Sequence, residues 1–140
     1  MQKRKYPVGI QTFSEIINDG YVYIDKTDFV YDISHSYKAV FLSRPRRFGK
    51  SLLVSTFREY FSGNKDLFKG LKIESLEKDW IKYPVLHFNM SRCKYKNIDD
   101  MKSELRAMLY DYEMIYGSVP VEETPSSKLT GLIKREYQQT

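Results

Sequence analysis

Gly49, Lys50 and Ser51 lie between an apolar run, Ala39-Val40-Phe41-Leu42, and a stretch with helical periodicity. A glycine lets backbone approach a ligand without a side chain between them. A lysine brings a mobile point charge to outer phosphates, and a serine hydroxyl can ligate Mg2+. With a strand before the turn and a helix after it, the turn amides, the unpaired helix donors and the positive dipole end converge on one point, where a polyphosphate fits. The candidate binding residues are Arg44, Pro45, Arg46, Arg47, Phe48, Gly49, Lys50, Ser51 and Leu52, with Ser51 also the candidate metal contact through its hydroxyl. The loop departs from the G-x-x-x-x-G-K-[ST] pattern, because Arg44 stands where the first glycine belongs. The plainer alternative is a basic surface loop in which Arg44, Arg46 and Arg47 are solvated charges.

The elements that would position these residues are legible in outline. Thr12 to Glu15 has capping-box spacing ahead of Ile16 and Ile17, with Gly20 closing a short helix. Tyr21 to Ile24 reads as a short strand. Asp25 or Thr27 can cap the next helix, with Phe29, Val30 and Ile33 as its apolar members. Residues 39–42 read as a buried strand, and a helix over about 50–61 carries Leu53, Phe57 and Tyr60 or Phe61, with Gly63 as its stop. Leu67, Phe68, Leu71, Ile73, Leu76 and Trp80 anchor short helical turns, and 85–89 reads as a second strand opened by Pro84. Asn97 caps a long helix with the stripe Ile98, Met101, Leu105, Met108, Tyr112 and Ile115, stopped by Gly117. That stripe reads as core packing. A loop over 118–126 precedes a last helix, 127–138, marked by Leu129, Leu132, Ile133 and Tyr137. Alternating strands and helices predict an α/β fold with a parallel sheet.

Composition narrows the function classes. A chain of 140 residues with 41% hydrophobic content suits one globular domain. The net charge of +5 permits phosphate or nucleic-acid partners without demanding them. A lone Cys93 excludes an internal disulfide and fits a reducing cytoplasm. No apolar run is long enough for a membrane span, and the basic start lacks the apolar core of a signal peptide. His87 reads as a core or edge histidine, His35 as a loop residue, and Asp25-Lys26-Thr27 as a helix cap rather than a ribose wall. The pairs Asp99-Asp100 and Glu122-Glu123 read as capping or solvated charges.

Four stretches carry a family resemblance: Pro7 to Phe13, Tyr23 to Thr27, Phe41 to Ser51, and Leu67 to Leu71 with Trp80 and Tyr83-Pro84-Val85. From about residue 7 onward the chain resembles the AAA-ATPase-like family, bacterial proteins often carrying a PD-(D/E)XK nuclease-like domain further along. The resemblance implies ATP and Mg2+ as ligands and makes Arg44 the family's own loop variant. It implies a P-loop NTPase-like three-layer α/β/α fold with a parallel sheet, of which residues 1–140 are the N-terminal portion of one domain. No apolar strand ending in acids follows residue 138, so the C-terminal strands and the Walker B carboxylate are absent from this sequence. The chain then reads as a fragment or truncated product that binds nucleotide without hydrolysing it; no catalytic residue is identified. The alternative is a non-enzymatic module binding nucleic acid through interleaved aromatic and basic residues, as at Lys82-Tyr83 and Lys94-Tyr95-Lys96.

Overall fold

A computed structural model of the chain describes residues 3–91 and 94–139. Among these the regular elements are helical: α1 Phe13–Asn18, α2 Thr27–Ser36, α3 Lys50–Phe61, a 3-10 turn Lys65–Phe68, α4 Lys72–Leu76, α5 Ile98–Tyr116 and α6 Pro125–Gln139. They fall into two compact units, Met1–Val85 and Leu86–Thr140. Cys93 lies outside the described residues.

The parallel sheet and the three-layer α/β/α architecture are not found, because no described residue is in a strand. Residues 39–45 are non-helical, but Phe41 is 92% exposed and no backbone hydrogen bond ties 39–43 to another segment. A strand exists through its neighbours, which satisfy its amides and cover its faces. An apolar run without them stays a coil. Tyr21 to Ile24 likewise forms no ladder; among the described residues one bond, Val22 N to Lys5 O at 2.9 Å, is its strand-like contact. At 86–89 the backbone is answered by a side chain instead. The Tyr112 hydroxyl accepts from His87 N at 2.7 Å and lies 3.1 Å from His87 O, with the Tyr112 ring edge-on to Phe88.

In the first unit the core is aromatic. Phe13, Val30, Tyr60, Phe68 and Ile73 are buried, and Leu52, Leu53, Phe57 and Trp80 pack against them. Phe13 lies 4.8 Å from Phe68, which lies 5.2 Å from Trp80. Each fully buried side chain of this size contributes about 1.5–3 kcal/mol. The expected capping box at Thr12 does not form. The first amide of α1, at Phe13, is instead answered by Ser55 Oγ from α3 at 2.9 Å, a tertiary cap that joins the two helices. A second pin joins α2 to α4. Asp25 accepts from Thr27 N and Thr27 Oγ1 through one oxygen and from Lys72 N through the other, while buried Thr27 Oγ1 accepts from Ile73 N at 3.1 Å.

Helix α3 starts and stops as its local residues dictate. Gly63, with φ 72°, donates to Tyr60 O, and Asn64 donates to Glu59 O, the paired bonds of a Schellman stop.

In the second unit Asn97 Oδ1 accepts from Asp100 N at 2.8 Å, and Gly117 ends α5. The stripe expected on α5 is only partly inward, since Ile98, Met101 and Ile115 are exposed. Leu109 and Glu113 are buried instead, and α5 packs on α6, where Leu132 is fully buried. Two ion pairs close the unit. Lys128 Nζ meets Glu113 at 2.8 Å, and Arg135 grips Glu122 with two bonds of 2.8 and 3.0 Å, so Glu122 is not the solvated charge its sequence context suggests. Gly131 makes room for the Glu122 carboxylate; a Cβ there would lie 1.8 Å from its Oε1.

Candidate functional site

The residues from Arg44 to Ser51 form an exposed loop running into the first turn of α3. A turn at Arg46 and Arg47 reverses the chain. Two residues take the left-handed conformation, Arg47 with φ 65° and Gly49 with φ 77° and ψ 18°. Arg44, which stands in the usual glycine position, does not need a positive φ.

Lys50 Nζ reaches back across the loop and donates to Arg44 O at 2.7 Å. The loop therefore curls round its own ammonium group, bringing its first carbonyl to the start of the helix. No described side chain caps α3, whose N-cap is Gly49, and its first turn holds no acid. Its leading amides and dipole end thus face solvent ready for an anion. A Cβ on Gly49 would meet nothing within 4 Å, so the space beside the turn is open. Leu52 differs from the other candidates. Its side chain packs against the core, so it anchors the helix start and can offer a ligand only its backbone.

Charge favours an anion. Between Asp32 and Glu59 there is no carboxylate, while Lys38, Arg44, Arg46, Arg47, Lys50 and Arg58 are all cationic. No ion pair among the described residues neutralises any of them. The donor set thus fits a polyphosphate. For a metal the set is thinner: Ser51 is exposed at the loop, and no group of three or more acidic, His or Cys residues among those described could hold an ion.

The other sequence candidates lie elsewhere in function. Asp25 is structural. Burial works against its charge, but the bonds from Thr27 and Lys72 outweigh it and hold its carboxyl below the usual range. Its charge and burial push the nearby Tyr23 hydroxyl up to about 12, burial being the larger cause. His35 sits in the last turn of α2 rather than in a loop. Tyr83 packs edge-on to Phe61, and the Tyr95 hydroxyl donates to Met90 O, so both rings of the supposed basic-aromatic surface serve the fold. Asp100 caps locally, accepting from Lys96 N. A cleft around Glu77 and Trp80 has no signal in the sequence, because its walls come from positions far apart in the chain.

Comparison with known proteins places this loop in context. A family model described as "Predicted AAA-ATPase" matches residues 7–140, and the chain belongs to this AAA-ATPase-like family. The chain is also 34% identical over 139 residues to an uncharacterized protein in the vnfD 5' region of Azotobacter chroococcum mcd 1. That match covers 98% of this chain and 27% of the relative, so the chain spans about a quarter of the relative's length. No solved structure matches at a significant level. No described helix is long and apolar enough to cross a membrane.

Proposed function

We propose that the chain binds a nucleoside triphosphate, ATP in keeping with its family, through the loop Arg44 to Leu52. The observation that carries this reading is the Lys50 bond to Arg44 O across a turn with left-handed Arg47 and Gly49, set before an uncapped helix end. On this reading the amides of Gly49, Lys50, Ser51 and Leu52 cradle phosphate oxygens. Lys50 exchanges the Arg44 carbonyl for an outer phosphate, and Arg46 and Arg47 draw the anion in. Ser51 would ligate Mg2+, whose chemistry is to neutralise phosphate charge. Hydrolysis also needs an oriented water and a firmly held metal, and residues 33–58 contain no carboxylate to supply either, so on this reading the chain binds without turnover. In a longer protein such binding would regulate an attached domain, a nuclease-like one on the family resemblance.

Titration with a fluorescent ATP analogue, with and without Mg2+, tests the reading. Saturable binding weakened by Lys50→Ala supports it. Equal affinity in both proteins, or displacement of the analogue by a DNA oligonucleotide but not by ATP, would leave only a basic surface.

A further inference from the structure

The cleft around Glu77 and Trp80, of about 300 Å3, lies in the first unit at the far end of α3 from the phosphate loop. Tyr60 and Phe61, the last residues of that helix, wall it together with Trp80 and Tyr83. Helix α3 is twelve residues long, so the first residue of its loop end and the last of its cleft end lie about 16 Å apart along the axis. The rings meet edge to face: Tyr60 and Trp80 at 5.9 Å and 72°, Phe61 and Tyr83 at 6.0 Å and 77°. Glu77 and Asp79 line the same cleft.

Its charge runs against that of the whole molecule. The chain carries 23 Lys and Arg against 18 Asp and Glu, yet neither Lys nor Arg lines the cleft. Its one basic group is His35, whose Nδ1 lies 2.9 Å from Tyr31 O and must therefore carry the hydrogen; Nε2 lies 3.8 Å from Glu77. Glu77 is fixed in place, accepting from the Tyr60 hydroxyl and from Asp79 N. Burial opposes its charge, but these bonds prevail and hold its carboxyl below the usual range. The negative end of α3 adds to the field.

Trp80 carries two costs at once. Its φ of 42° is an outlier for a bulky residue, and its buried Nε1 has no hydrogen-bond partner. Surrounding structure must hold that strain, which fixes the Trp80 ring in the cleft wall.

We propose that this cleft binds an organic ammonium group, with ring faces among Tyr60, Phe61, Trp80 and Tyr83 toward the cation and Glu77 and Asp79 as its counter-charges. The ammonium comes either from a small solute or from a lysine-type side chain of a protein partner. The site is independent of the nucleotide loop.

Trp80 is the chain's one tryptophan, so its emission reports on the cleft directly. The full chain is titrated with tetramethylammonium chloride, with sodium chloride at equal ionic strength, and with tert-butanol as the neutral isostere. The expected result is a saturable change with a millimolar midpoint for tetramethylammonium alone. Glu77→Gln and Tyr83→Ala should each raise that midpoint at least fivefold. Asp79→Asn, at an exposed side chain, should raise it at least twofold and serves if Glu77→Gln lowers the helix content. A peptide bearing one trimethyllysine that binds tenfold more tightly than tetramethylammonium assigns the site to a protein partner. Weaker binding assigns it to a solute. An equal response to tert-butanol, a linear response, or midpoints unmoved in folded Asp79→Asn and Tyr83→Ala would overturn the proposal.

Discussion

Lys50 and Gly49 do different work within one turn, and substitution separates them. The Lys50 ammonium is exposed and touches the fold only through Arg44 O. Lys50→Ala should therefore leave thermal stability unchanged and weaken Mg-ATP binding by about 2–4 kcal/mol, the range for a lost charge-assisted contact. Calorimetric titration of both proteins checks this. Gly49 has room for a Cβ, but its φ of 77° disfavours one. Gly49→Ala should cost about 1–2 kcal/mol in urea unfolding from backbone strain alone, and Gly49→Asn less, because asparagine tolerates the left-handed region. If alanine and asparagine cost the same, the open space rather than the backbone angle governs this position.

At the scale of elements, one buried hydroxyl sits at the centre of the joint between α2 and α4, beside the Asp25 bond from Lys72 N and the Lys72–Asp28 ion pair. Thr27 Oγ1 accepts from Ile73 N and donates to Asp25 Oδ1 in a fully buried setting. Thr27→Val keeps the shape, orphans the Ile73 amide and removes one of the two bonds to Asp25 Oδ1, so it should destabilise the first unit by about 1–3 kcal/mol. Thr27→Ser keeps the hydroxyl and should cost less than half of that. Urea midpoints of the two variants settle the comparison, and equal losses would mean that the methyl group, not the hydroxyl, matters. Helix α6 offers a contrasting case. Gly131→Ala should gain up to about 1 kcal/mol in helix propensity, but its Cβ occupies the place of the Glu122 carboxylate. The Glu122–Arg135 pair should therefore be displaced, visible as loss of the paired geometry in a crystal structure of the variant.

Across the whole molecule, stability should depend on acid in a direction set by its carboxylates. Asp25 and Glu77 are held below the usual range by their hydrogen bonds against opposing burial, and Glu122 by its bonds from Arg135. Each binds its proton less readily folded than unfolded. Their contribution is thus fully present above the ordinary carboxylate value of about 4 and is lost as pH falls from there through the depressed folded values. Glu136 runs the other way. Burial raises its carboxyl, so it is easier to ionise unfolded, and it weakens the fold once pH rises above the ordinary value. Melting curves from pH 3 to pH 7 should show stability rising as the first three ionise. Glu136→Gln should raise the midpoint at pH 7 and have no effect at pH 3; a gain at both would show that its charge is not the cause.

What the sequence determined by itself is local. The limits of α3, its stop at Gly63, and the cap and stop of α5 at Asn97 and Gly117 depend on residues within a turn of each helix end, and all are found where those residues stand. The basic loop with Gly49, Lys50 and Ser51 was legible for the same reason. The strands were not, because a strand's hydrogen bonds belong to whatever lies beside it: among the described residues no backbone hydrogen bond reaches 39–42, and His87 is answered by Tyr112, 25 residues on. The inward face of α5 was misread because Glu113 is tolerated inside only with Lys128 opposite, a partner that periodicity does not reveal. Tertiary packing alone brought Tyr60, Glu77 and Trp80 around one cleft, since side chains so far apart in sequence meet only when helices cross.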